Sequence, residues 1–362
     1  MTTPRIREVR VRAVDAPLDP PLRNSLNTIP RAPLVIVDLR TECGAAGTAY
    51  VFPYTPAALG PTAALARSLG EGLVGRVLAP AAIWRELHDA GRILGTEGLV
   101  QIALSALDMA MWDALAVRAG LPLCVLLGGE ARPVPIYASL RGWGAAMLAE
   151  EAGRAVATLG ARWVKFKLGQ ARLEDDLDTV RAVRAAVGGE VGILVDYNQA
   201  LTLPEAERRG RALQDLDVRW LEEPLPVQDD AGLAELARRL AIPVQGGENW
   251  WGPAGMHRAL TAGAVDLCMP DAMKIGGVTG WQRAAAMAAA HRMPMSSHIF
   301  VEASVHLMNV TPTAHLLEHL DVAAPLLADP VAVQDGMALV PDRPGMGIVW
   351  DEAAVARHAA DV

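Results

Sequence analysis

An α/β protein, with a (β/α)7–8 barrel of the TIM type behind an N-terminal α+β capping domain, is expected from two features of the chain. Between Trp163 and His298 short apolar runs recur, each closing on a residue able to bind a cation or move a proton. These are Lys167, Asp196, Glu222, Glu248, Asp271 and His298, spaced 23 to 29 residues apart. A strand, a helix and two short loops need about that length, and such barrels carry their reactive groups at the C-terminal ends of different strands. The second feature is a run of strands and then helices ahead of Gly128-Gly129, the pattern of a separate α+β unit. The expected divisions are 1–128 for the cap, 129–325 for the barrel and 326–362 for a segment returning to the cap.

In chain order, residues 5–14 and 33–42 read as strands, with Gly44 and Gly47 marking a turn into a third at 48–52. The Pro-rich stretch 16–32 between the first two carries Leu22, Leu26 and Ile29. A loop that long in a compact domain is usually functional, here as a lid. Helical periodicity covers 56–70, 80–92 and 98–118. The barrel opens with a strand ending on Ser139, 28 residues before Lys167. Helices are expected at 172–187, 204–215, 229–240, 253–262 and 279–291. Glu174, Asp175 and Asp176 suit the positive end of the first, and Pro204 suits an opening turn. Beyond His298 the regularity fades, and Glu318 is the candidate end of an eighth strand.

The 362 residues suit two domains, and 52% apolar content supports a large core. No uninterrupted apolar run approaches the roughly 18 residues of a membrane span, and the opening Met-Thr-Thr-Pro-Arg lacks an apolar signal core. A cytoplasmic location without a membrane partner is therefore expected. Cys43, Cys124 and Cys268 are odd in number and far apart, so neither a disulfide framework nor a zinc cluster is indicated. A net charge of −8 without a basic block argues against nucleic acid as a partner.

Asp196, Glu222 and Glu248 close consecutive strands, and three crowded carboxylates repel unless a cation sits among them. Hard oxygen ligands suit Mg²⁺. Glu222 and Glu223 compete for the middle position, since adjacent strand residues face opposite ways. Lys165 and Lys167 share a strand face; if it lines the barrel mouth, each cation lowers the pKa of the other toward that of a general base. Asn198 is two residues beyond Asp196 and shares its face. Across the mouth, Asp271 can fix the tautomer of His298 and raise its basicity.

The order Lys-x-Lys, Asp, Glu, Glu, Asp, His, Glu resembles the enolase superfamily and, within it, the mandelate racemase subgroup. The likeness extends to VDYNQ (195–199), GENWWGP (247–253), MPDAMKIGGVTGW (269–281), PMSSH (294–298), TPTAHLLE (311–318) and PDRPGMGIVW (341–350). It spans nearly the whole chain. The resemblance implies Mg²⁺, with Mn²⁺ as a substitute, held by Asp196, Glu222 and Glu248. It implies Lys167 as base on one face of the substrate and His298, paired with Asp271, on the other. Lys165 would contact the substrate carboxylate, Glu318 would act as a protonated acid with a raised pKa, and Asn198 and Ser139 would lie in the substrate shell. Leu22, Leu26, Ile29 and Tyr54 would sit on flaps (about 16–32 and 48–56) over an aromatic ring. A homo-oligomer is also implied.

The expected activity is Mg-dependent racemisation of a 2-hydroxy carboxylate, mandelate or a related aryl or apolar acid, by two-base 1,1-proton transfer. The alternative is dehydration of an acid sugar, which shares the first step; a non-catalytic metal-binding barrel comes third. Arg23 in the lid and Arg141 after Ser139 depart from the subgroup pattern as candidates for a second anionic group. Lys274, three residues beyond Asp271, is a rival base assigned a supporting role because the His–Asp pair is complete.

Overall fold

A computed structural model describes residues 4–362. The N-terminal part is an antiparallel sheet of three strands, β1 (Ile6–Arg23), β2 (Thr28–Thr41) and β3 (Ala46–Val51), packed on α1 (Pro56–Glu71) and α3 (Leu99–Ala119), with α2 (Pro80–Ala90) against α3. A short helix, α4 (Leu123–Leu126), leads into the barrel.

The stretch 16–32 is not the open loop expected. β1 and β2 continue into it as a long hairpin, because Leu22 pairs with Ile29 and Arg23 with Thr28. Only Asn24–Asn27 turns, and the Asn24 carboxamide accepts from the backbone of Leu26 and Asn27. The prolines that suggested a loop fall at the register shift between Pro17 and Leu22, where Leu18–Pro21 bulge out of the ladder, a place where a missing N–H costs nothing. Gly47 likewise marks no turn. It lies within β3, where an added Cβ would meet the backbone of α3 at 2.2 Å from Ala110 O.

The barrel strands alternate with helices in order: β4 (Val134–Ser139), α5 (Ala145–Leu159), β5 (Trp163–Lys167), α6 (Leu173–Val187), β6 (Gly192–Asp196), α7 (Leu203–Gln214), β7 (Val218–Glu222) and α8 (Asp230–Arg239). Then come β8 (Val244–Gly246), α9 (Gly252–Ala262), β9 (Leu267–Cys268), α10 (Ala272–Ile275), α11 (Gly277–His291), α12 (Val301–Met308) and β10 (Leu317–His319). β4 through β9 pair in parallel with their neighbours. The expected seventh strand is reduced to single parallel bridges, Cys268 with Met295, Asp271 with His298 and Met295 with Ala314. β10 then pairs with β4 and closes the ring.

The C-terminal residues add a hairpin, β11 (Val333–Gln334) and β12 (Met337–Ala338), to the free side of β4. They then run to the capping sheet, where Trp350 Nε1 donates to Thr48 and α13 (Glu352–Arg357) leads to a bridge between Ala359 and Val14.

Among the described residues, α3 is long and apolar enough to cross a membrane by length and composition, which inspection of uninterrupted apolar runs overlooks. Most of it is buried within the protein, where its acids join three parts of the chain. Asp108 accepts from the Thr279 backbone and hydroxyl at the start of α11, and Asp113 accepts from Thr48 and Met346 backbone N–H groups.

On α12, buried His306 accepts from the Cys124 backbone through Nδ1, and burial pulls its imidazole down to about 4. A histidine depressed in the folded state is held neutral there, while the unfolded chain takes up its proton near pH 6.5. Its contribution is therefore fully present above that pH and lost as the pH falls through about 4. Denaturant titrations at pH 7 and 4.5 should show His306→Gln losing about 3 kcal/mol less than the parent protein on acidification; equal losses would remove His306 as the acid-sensitive group.

Candidate active site

Each strand end contributes according to its place in the ring. Lys165 and Lys167 come from β5, Asp196 from β6, Glu222 from β7, Glu248 follows β8, Asp271 follows β9, His298 closes the bridged segment and Glu318 comes from β10. Lys165, Lys167, Asp196, Glu248, His298 and Glu318 line a cavity of about 520 Å³ beneath the β1–β2 hairpin, and Glu222 and Asp271 are not in its lining.

Asp196, Glu222 and Glu248 are buried, and each offers an oxygen within 4.8 Å of the others. Burial pushes Asp196 up, and pushes Glu222 to about 8 against the pull of Lys165, with repulsion from Asp196 and Glu248 adding to it. Carboxylates so raised gain from a divalent cation among them, and three converging hard oxygens fit Mg²⁺ with positions left for other ligands. Glu223 is excluded from this set by its backbone. A φ of 39° ends the strand there, and both its oxygens accept from the Asn249 carboxamide. It lines the cavity all the same, which the alternation of a regular strand does not foresee.

Lys165 is almost wholly buried and bonds Glu222 Oε1 at 2.5 Å and Glu318 Oε1 at 2.8 Å, with Asp196 at 3.8 Å. Burial lowers its pKa, but these carboxylates outweigh burial and raise it well above the ordinary lysine value. The expectation that its neighbour depresses it is thus corrected: Lys165 is a fixed cation. Lys167 Nζ is buried and has no hydrogen-bond partner among the described residues.

His298 Nδ1 meets Asp271 Oδ2 at 2.6 Å. The other Asp271 oxygen caps α10 by accepting from Met273 and Lys274, so the carboxylate that orients the ring is itself fixed. His298 Nε2 faces Glu248 at 3.1 Å. Burial pulls the imidazole down, but Glu248, Glu318 and Asp271 prevail and raise it to about 9.

Glu318 corrects another expectation. Burial pushes it up, as foreseen, but Lys165, His298 and Lys167 outweigh burial and hold it at about 2. Without substrate it is a carboxylate, accepting from Ile299 N at 2.9 Å.

Leu22, Leu26, Ile29 and Tyr54 all line the cavity, with Leu26 61% exposed at the hairpin tip. Asn198 lines it too, its amide anchored on Asp196 Oδ2 and its carbonyl oxygen unpartnered. Ser139 does not line this cavity. Its buried, unpartnered hydroxyl stands at the wall of a smaller cavity shared with Asp19, Pro20 and Arg141. Arg141 is tied to Asp321, and Arg23 is exposed, so neither candidate arginine lines the cavity. Arg31 lines it instead, along with Asn24, Asn27 and Thr28 of the hairpin. The sequence signal for these was only their place in the Pro-rich stretch. Lys274 is buried, donates to Asn249 Oδ1 and lies over the Tyr54 ring at 4.6 Å.

Comparison with known proteins shows the family of the chain. Residues 6–128 match the mandelate racemase / muconate lactonizing enzyme N-terminal domain, and residues 147–354 match the enolase C-terminal domain-like family. A solved enolase from Bradyrhizobium, complexed with magnesium and mandelic acid, superposes with a TM-score of 0.96 at 43% identity over 100% of both chains. The 3,6-anhydro-alpha-L-galactonate cycloisomerase of Streptomyces coelicolor is 34% identical, covering 90% of this chain and 91% of its own. The L-talarate/galactarate dehydratase of Salmonella typhimurium is 31% identical, covering 89% and 81%. The chain belongs to the mandelate racemase / muconate lactonizing enzyme family of the enolase superfamily.

Proposed function

We propose that this protein is a Mg²⁺-dependent racemase of a 2-hydroxy carboxylate with an apolar or aryl substituent. The observation that carries the reading is the placement of two proton acceptors around one cavity. Lys167 stands on β5 and His298 follows β9, with the carboxylates of β6, β7 and β8 between them on one side and β10 and β4 on the other. Both side chains line that cavity from separate strand ends, which supports a base on each face of a bound substrate.

The α-proton of a carboxylate substrate is weakly acidic because its removal piles negative charge on the carboxylate oxygens. Asp196, Glu222 and Glu248 would hold a Mg²⁺ ion, which would supply Lewis-acid stabilisation of that charge when bound. Lys165, held cationic by Glu222 and Glu318, presents a second positive group to the same oxygens. A substrate carboxylate beside Glu318 brings a like charge and pushes Glu318 back toward protonation, so the acid becomes a donor only in the complex. Lys167 Nζ, without a hydrogen-bond partner among the described residues, takes the proton from one face as the neutral amine. The His298 ring, with Nδ1 engaged by Asp271, returns one through Nε2 to the opposite face.

The substituent points to the hairpin, where Leu22, Leu26, Ile29 and Phe52 offer apolar walls. The Bradyrhizobium enolase bound to mandelic acid supports an aryl group there. Acid-sugar dehydration is the second reading, favoured by Arg31, Asn24, Thr28 and Lys274 in the same lining and by the galactonate and galactarate relatives. There His298 would expel a β-hydroxyl as general acid.

Magnesium titrated into EDTA-treated protein should raise its melting temperature, and Asp196→Asn should weaken the apparent affinity by about tenfold or more. No magnesium-dependent shift would remove the metal site. His298→Asn should cut racemisation by roughly 10²–10⁴-fold while mandelate of the enantiomer facing Lys167 still exchanges its α-hydrogen with D₂O. Continued exchange of both enantiomers would show that the two-base assignment is wrong, and ketone formed from galactarate instead would favour the dehydratase.

A further inference from the structure

Neither Tyr50 nor Glu302 lines the active-site cavity, yet the two are joined beside its base. Tyr50 lies on β3 of the capping domain and Glu302 in the first turn of α12. Both are buried, at 4% and 3% exposure, and the phenol donates to Glu302 Oε2 at 2.6 Å. A hydrogen bond of that length to a buried carboxylate is charge-assisted and costly to lose.

Between His298 and α12 the backbone turns through two consecutive left-handed residues, Ile299 (φ 34°) and Phe300 (φ 48°). A β-branched residue in that region is sterically unfavourable and persists only where its surroundings enforce it. Three contacts do so here. Ser304 Oγ donates to Ile299 O at 2.8 Å, and Ile299 N donates to Glu318 Oε2 at 2.9 Å. The Phe300 ring packs on Tyr50 at 5.2 Å, with Trp350 against the other side of Tyr50 at 5.9 Å. The same corner thus sets the direction of His298 on one side and an N–H donor to Glu318 on the other.

We propose that Tyr50 and Glu302 are positioning residues: the capping domain, through their hydrogen bond, holds the Ile299–Phe300 corner and so aims His298 at the substrate. The inference rests on the two-base reading for its kinetic consequence but not for its structural one. Removing the hydroxyl leaves a buried carboxylate without its donor at the start of α12. That favours movement of the helix turn, and the strained corner attached to it relaxes. Lys167, on β5, is not attached to this corner, and Glu318 is also held by Lys165 at 2.8 Å, so the loss falls mainly on the His298 face.

The test compares Tyr50→Phe and Glu302→Ala with the parent, all loaded with Mg²⁺. Exchange of the α-hydrogen of each mandelate enantiomer in D₂O should fall about tenfold or more for the enantiomer facing His298, with KM little changed, and stay within about twofold for the one facing Lys167. Glu302→Gln, which keeps an acceptor for the phenol, should recover most of the loss seen in Glu302→Ala. Independently of any substrate, the ¹⁵N shifts of the His298 ring at one fixed pH, assigned by their disappearance in His298→Asn, should move in Tyr50→Phe and Glu302→Ala. Equal loss of exchange at both faces, or ring shifts unmoved in both variants, overturns the proposal. A parent protein that exchanges neither enantiomer sinks the racemase reading and leaves the ring shifts to decide this one.

Discussion

The structure depends on one electrostatic constraint: a dense group of carboxylates removed from water must be balanced by cations at fixed places. Asp196, Glu222, Glu248 and Glu318 are all buried, and Lys165 is buried among them. In a low dielectric such charges persist only when paired and hydrogen-bonded. Lys165 satisfies part of the need by touching Glu222 and Glu318 together and standing near Asp196. The remainder is an excess of negative charge that a divalent cation would relieve. Folding and function therefore draw on the same interaction, and the site is a place where stability is given up unless a metal is bound.

That constraint explains why each group adopts its state. Lys165 is held protonated by the carboxylates it touches, whereas Lys167, two residues on, has no hydrogen-bond partner among the described residues. His298 is basic because carboxylates flank it on both sides, and Glu318 is acidic because cations surround it.

The barrel was legible in the sequence because strand ends repeat at a nearly constant interval, and the helices read from periodicity, α6 to α9 and α11, fall within a residue or two of their patterns, while α5, α10 and α12 went unread. The metal triad was legible for the same reason, except for the choice between Glu222 and Glu223. That choice is made by a left-handed residue at the strand end, and alternation says nothing about it. Prolines misled at 16–32, since they mark a bulge inside a hairpin and not a break in it. Gly47 misled because a glycine needed for close helix approach looks like one needed for a turn. The charge of Glu318 was not legible because it follows from three cations contributed by distant parts of the chain. The Tyr50–Glu302 bond spans 252 residues, and no local pattern announces it.

The hairpin over the cavity is made from the same two strands that run through the core of the capping sheet, and its tip is pinned to the barrel where Arg23 N donates to Arg141 O. Yet the residues it shows the cavity near the turn, Asn24, Leu26 and Asn27, belong to no core. Selection can rewrite those few letters without disturbing the ladder beneath them or the proton-handling groups below. Ligand preference and chemistry are in this way inherited on separate stretches of chain, so a lineage can change its diet while keeping its reaction.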